Sequence, residues 1–112
     1  FFNAYANEGD SDTSLNYVTG SDLAQGTGFQ RLFGVGGDND QNSCGILHLF
    51  EPSSTTFVKN YRSNVVNYHQ ANFAQQYFCT GYANTTSAIT GIKFAMDTGN
   101  LDAGTIVMYG VK

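Results

Sequence analysis

Hydrophobic and polar positions alternate along most of this chain with a period of two, the repeat of a strand that buries one face. Residues 1–6 form the first such run. Residues 27–35 set Phe29, Arg31, Phe33 and Val35 on one face. Residues 45–50 are apolar on both faces, which predicts a central strand, and Pro52 closes it because proline has no N–H for a ladder. Residues 56–62 place Phe57, Lys59 and Tyr61 opposite Val58, Asn60 and Arg62, with 64–69 continuing the run after a bend. In residues 73–82, Phe73, Tyr77 and Cys79 share one face and Phe78 and Tyr82 the other. Residues 87–96 line up Ala88, Thr90, Ile92, Phe94 and Met96. Residues 104–111 set Ile106 and Met108 against Val107, Tyr109 and Val111.

Polar clusters separate these runs. Residues 7–14 read as a loop, 36–43 as the strongest turn signal and 97–100 as another turn. Only residues 67–76, with Tyr68, Ala71, Phe73 and Ala74 on a helical stripe, suggest a helix, and they lack a cap pair. About seven strands at this spacing predict an all-β domain, an antiparallel β-sandwich of jelly-roll-like form occupying residues 1–112 as one unit. No stretch repeats, which argues against solenoids and propellers. The opening Phe1-Phe2-Asn3-Ala4-Tyr5 reads as the interior of a strand, so the expectation is the C-terminal part of a longer chain with N-terminal strands missing.

Composition sharpens the picture. Charged residues are 12% of the chain, while Asn, Gln, Ser and Thr supply 36 of its 112 residues. The net charge is -4, which disfavours nucleic acid as a partner, and no apolar run has the length for membrane insertion. Cys44 and Cys79 permit one disulfide without demanding it, and buried free thiols are expected.

Candidate chemistry is sparse. Asp38, Asp40 and Asn42 match positions 1, 3 and 5 of a calcium loop, but Ser43 and Leu49 stand where that loop needs Gly and Glu. A turn whose Asp and Asn side chains bond their own backbone accounts for the same residues. His48, inside a strand pattern, reads as a structural histidine. A Cys79–His69 nucleophile pair lacks any surrounding signature. Most carboxylates lie in loops, poor places for paired acid–base work. Phosphate-loop, nucleophile-elbow and zinc-protease motifs are absent, so no enzyme and no cofactor are expected. The tyrosines remain, with Tyr17, Tyr68 and Tyr82 as candidate binding residues. Rings stack on sugars or proteins while amides bond hydroxyls, and cross-strand tyrosine ladders are an equal account.

The last third carries a resemblance. Ser87-Ala88-Ile89-Thr90-Gly91-Ile92-Lys93-Phe94, Thr98-Gly99-Asn100-Leu101, and Gly104-Thr105-Ile106-Val107-Met108-Tyr109-Gly110-Val111-Lys112 resemble the closing strand pair of tailed-bacteriophage virion structural proteins. The run from Gly45 to Pro52, followed by Ser53-Ser54-Thr55-Thr56, resembles a central strand of the same group. The resemblance implies a β-sandwich at the surface of a virion, in a tail appendage (fibre or spike) that attaches to the host. It brings no catalytic residues. It implies self-association as a homotrimer, contact with other virion proteins, and a host cell-surface glycan or protein as partner. A head decoration protein is the alternative within that group, and a small polysaccharide-degrading domain the alternative outside it.

Overall fold

The computed structural model describes residues 1–111. Five strands form, β1 (Phe2–Asn7), β2 (Thr13–Tyr17), β3 (Ser43–Leu49), β4 (Lys59–His69) and β5 (Phe73–Ala83), with one 3-10 turn at Thr19–Ser21. They make a single open sheet, antiparallel throughout, in the order β2-β1-β5-β4-β3. The chain is therefore all-β, as its period-two pattern requires. The described residues show one sheet of five strands where a seven-stranded sandwich is expected.

The long β4–β5 hairpin is the spine, and it replaces the helix suggested at 67–76. Asn72 takes the left-handed conformation at φ 60°. Its N–H donates to the His69 carbonyl (2.9 Å), and its Oδ1 accepts the Tyr68 hydroxyl (2.8 Å). That turn lets Asn67, Gln75 and Tyr77 bury one face of a strand pair, which a helical stripe would have scattered. The bend expected between residues 62 and 64 is absent, and β4 runs unbroken against β5 from Lys59↔Ala83 to His69↔Phe73.

Part of the polar loop at 7–14 is a tight connection, and β2 follows at Thr13. Asn7 organises it, its Oδ1 accepting the N–H groups of Ser11 (3.0 Å) and Asp12 (3.1 Å). Asp10 sits at φ 49°, a conformation Asp tolerates.

The two sheet faces differ. On the inner face lie Lys59, Ser63, Val65 and Asn67 of β4 and Gln75, Tyr77 and Cys79 of β5, all buried. The long β2–β3 connection covers this face. Its Val18, Leu32 and Phe33 pack on the Phe1–Tyr77–Cys79 core, and the Gly34 carbonyl accepts Asn67 Nδ2 at 2.6 Å. Residues 27–35 are thus irregular where a strand is expected. Side chains, rather than a neighbouring strand, occupy their backbone groups: Gln30 Nε2 donates to the Arg31 carbonyl (2.9 Å) and Arg31 Nε to that of Phe33 (3.4 Å). The expected strands 87–96 and 104–111 are likewise unpaired, and their residues are almost all exposed.

β3 is an edge strand, not the central strand its two apolar faces predict. It approaches β4 closely at Gly45, where a Cβ would lie 2.5 Å from the Asn64 carbonyl oxygen.

Candidate binding face

Register decides which side chains meet on the outer face. Tyr17 pairs with Phe2, Phe2 with Phe78, Phe78 with Asn64 and Asn64 with Ile46, so one row crosses all five strands. The next row is Leu15, Ala4, Gln76, Val66 and Cys44. With strands about 4.8 Å apart, each row is roughly 19 Å long. The large apolar members stand open, with exposure from 40% at Phe78 to 73% at Leu15. Phe2 and Tyr17 meet edge to face at 5.0 Å between ring centroids. The Gln76 amide donates to Asn64 Oδ1 at 2.8 Å, a polar tie at the centre of the patch.

Two shallow, open depressions flank Ile46 and Asn64. One, of about 350 Å³, is lined by Cys44, Gly45, Ile46, Asn64, Val66 and Gln76. The other, of about 340 Å³, adds His48, Arg62, Phe78 and Thr80. All nine Asp and Glu residues lie outside the five strands, so the strands bring no carboxylate to the outer face and only Arg62 and His48 can carry charge there. Apolar and aromatic surface without charge at its centre is the composition of an interface core.

The structure places Tyr17, Tyr68 and Tyr82 all on this face but does not bring them together. Tyr17 ends the aromatic row, and its hydroxyl donates to Asp22 Oδ2 at 2.5 Å, a bond that raises the phenol pKa and lowers that of the carboxyl. Tyr68 lies toward the β4–β5 turn with its hydroxyl on Asn72. Its phenol pKa is raised, first by burial and then by the negative Glu8 and Asp40. Tyr82 lies four residues beyond Phe78 in the opposite direction, roughly 13 Å along β5. The sequence pattern paired Phe78 with Tyr82 but gave no sign of Phe2, Leu15, Ile46 and Val66 beside them. Only strand order and register assemble that row.

The remaining candidates separate. Asp38 is held inside its own turn, where its carboxylate accepts Gln41 Nε2 (2.7 Å) and its carbonyl accepts the Gln41 N–H (3.1 Å). No three His, Cys, Asp or Glu side chains gather among the described residues, so Asp38, Asp40 and Asn42 do not converge with other acids. His48 is exposed and stacks on Phe50 at 6.3 Å, which corrects the expectation of a structural histidine. Cys44 and Cys79 are free thiols on opposite faces. Cys79 is buried as expected and Cys44 is exposed, contrary to expectation. His69 pairs with Phe73, six residues along β5 from Cys79 and roughly 20 Å away, too far for proton transfer.

The inner face holds one group that sequence reasoning did not single out. Lys59 is fully buried, and its Nζ donates to the carbonyls of Phe57 (2.6 Å) and Thr85 (3.3 Å). Nearby, Tyr61 lies over Gly81, where a Cβ would come within 2.5 Å of its hydroxyl oxygen. Burial raises the pKa of Tyr61, and the adjacent Cys79 thiol adds to the rise. Burial likewise raises the Cys79 thiol and the Tyr77 phenol. Tyr77 donates to Gln75 Oε1 at 2.9 Å. Tyr61, Tyr77 and Cys79 belong to the cluster on which Val18, Leu32 and Phe33 pack.

Among the described residues no helix is long and apolar enough to cross a membrane. No family model, no curated protein and no solved structure matches this chain.

Proposed function

We propose that this chain is a non-enzymatic structural and binding module that works as part of an assembly, and that the assembly is a bacteriophage virion. One observation carries the first half. A chain of 12.1 kDa folded to ordinary compactness exposes about 6,000 Å², whereas this one exposes 8626 Å². Most of the large hydrophobic residues that stand exposed lie on the outer sheet face and in the C-terminal segment. Monomeric proteins rarely expose apolar surface on this scale, and interfaces between subunits do.

In this reading the sheet is one layer of a sandwich whose second layer is supplied on assembly. A homotrimer around a symmetry axis closes the open edges. The resemblance of the last third to virion proteins supports the second half of the reading, and the tail appendage is the position we favour. There the polar loops at 8–12 and 36–42 face outward, toward a host cell-surface glycan or protein, while other virion proteins hold the base.

Immunogold labelling of intact particles with antibody against this domain tests the assignment. Gold at the tail tip is the expected result. A regular coat over the head would replace the appendage with a capsid decoration role, and particles without gold would remove the virion altogether. Cleavage of host polysaccharide by the purified chain, lost on Asp38→Ala with Asp40→Ala, would overturn the non-enzymatic reading.

A further inference from the structure

The exit from β5 is anchored, and the chain beyond it is not. Lys59 ties the Thr85 carbonyl to the start of β4, and the Ile89 N–H donates to the Pro52 carbonyl at 2.8 Å. From residue 90 to residue 111 there is no backbone–backbone hydrogen bond to any described residue. Yet these are strand sequences. Met108, Tyr109 and Val111 are 87%, 82% and 94% exposed. The chain bends between the two arms, with Gly99 at φ 73° and the Thr98 N–H on Asp97 Oδ1 at 2.9 Å. Gly99 supplies the positive φ that a hairpin turn uses.

What the segment lacks, the sheet also lacks. Residues 87–96 are apolar on one face and need a sheet surface to cover. Residues 104–111 are apolar on both faces and need neighbours on both sides. The sheet offers an uncovered apolar face and two unpaired edges, β2 and β3. Charge permits the match, because the arms carry only Lys93 among the described residues and the five strands bring no carboxylate to the face, Asp22 lying at its Tyr17 end.

The segment does not reach its own outer face. Its root is pinned at Pro52, and Lys93 Nζ lies 5.4 Å from the Phe29 ring, in the connection that covers the inner face. The chain leaves its own sheet on that side. The molecule is drawn out accordingly, with a radius of gyration of 15.5 Å where about 13 Å is usual for this length, and extents of 50 × 29 × 28 Å.

We propose that residues 87–111 of one copy form a strand pair that lies over the outer face of a second copy, so that each subunit completes its neighbour by exchange. The inference rests on the self-associating part of the function proposed above and is independent of where the assembly sits. The surface at stake fits. The excess of about 2,600 Å² per chain over a compact fold is at or above the upper end of the roughly 1,000–2,500 Å² per partner of obligate interfaces. A head-to-tail donation of this kind closes as a ring when the rotation between copies returns to the start, and a trimer is one such ring.

The test uses the full chain and two readouts, solution mass by light scattering and hydrogen exchange of the amides in 87–96 and 104–111, each over a wide concentration range. The expected result is an oligomer whose C-terminal amides exchange about a hundredfold or more slower than in an unpaired strand, with protection and mass lost together on dilution. Ile106→Asp with Met108→Asp, confirmed as folded by its circular dichroism, is expected to be monomeric. A monomer with protected amides would mean that the segment folds onto its own sheet and would overturn both the exchange and the self-association. An oligomer with freely exchanging C-terminal amides, or one that survives the two substitutions, would overturn the exchange and leave self-association standing. A monomer with free amides would remove both.

Discussion

The bond from Tyr77 to Gln75 gives the most direct test of how the inner face is held. Both residues are buried, at 6% and 8% exposure, and the phenol donates to Gln75 Oε1 at 2.9 Å. Tyr77→Phe keeps the ring that packs 5.4 Å from Phe1 and removes the hydroxyl, which donates to Gln75 and also lies against the Gly34 backbone. The amide oxygen is then left without a partner, and an orphaned buried acceptor costs about 1–3 kcal/mol. At roughly 2.1 cal/mol/K per residue, a chain of 112 residues unfolds with about 0.24 kcal/mol/K of entropy, so that cost lowers Tm by about 4–13 °C. Gln75→Met makes the reciprocal change, leaving the hydroxyl with the Gly34 backbone as its polar neighbour, at a cost no larger. The double variant removes both polar ends and is expected to lose about 1–2 kcal/mol less than the sum of the singles. The assay is thermal melting at one fixed protein concentration, followed by circular dichroism. Strict additivity of the two changes, or a Tyr77→Phe melt within a degree of the parent, would refute the argument.

Three further outcomes follow from the same geometry. The folded-state pKa values of Tyr61, Tyr77 and Cys79 are raised, chiefly by burial, above ordinary values of 10.0 for the phenols and 9.0 for the thiol. The unfolded chain therefore releases these protons first, so their contribution to stability is whole below about pH 9 and is lost as pH rises toward the folded values; a flat Tm from pH 8 to pH 11 would contradict this. Asn72→Val places a β-branched residue at φ 60° and removes the Tyr68 acceptor, and should cost about 1–3 kcal/mol in chemical denaturation, whereas Asn72→Gly keeps the turn and loses less. Chelator should leave Tm unchanged, since Asp38 is already engaged by Gln41; a fall of several degrees would restore a cation at Asp38, Asp40 and Asn42.

The alternation of Tyr77 and Cys79 against Phe78 and Tyr82 made β5 legible beyond residue 76, because a central strand with one covered face writes its period directly into the sequence. β2 was illegible for the opposite reason. Thr13-Ser14-Leu15-Asn16-Tyr17 has little apolar signal of its own and is held by pairing to β1 and by the turn that Asn7 closes, both of them tertiary facts. Residues 67–76 misled because a hairpin turn placed between Tyr68 and Phe73 leaves Tyr68, Ala71 and Ala74 three residues apart, a spacing a helix shares. Of the candidate face, the aromatic character was readable and the assembly was not, since the row from Tyr17 to Ile46 draws one residue from each of five strands.

The disagreements over burial point largely in one direction, and this bears on what the molecule is for. Local misreadings of secondary structure scatter both ways, toward too much burial and too little. Here β3 reads as doubly covered and has an uncovered outer face, with Ile46 61% exposed. Residues 87–96 read as half-buried and residues 104–111 as buried on both sides, yet both lie open. Period and apolarity record the environment in which a segment is stable, and they record it whether the neighbour belongs to the same chain or to another. The inner face, where the β2–β3 connection supplies cover, agrees with the period-two reading of β4 and β5. The outer face and the C-terminal arms, where it does not, are the places that fall short. A shortfall confined to one surface and one segment, matched in apolarity and charge, is what the exchange proposed above accounts for, and protection of the amides in residues 87–111 is the measurement that decides it.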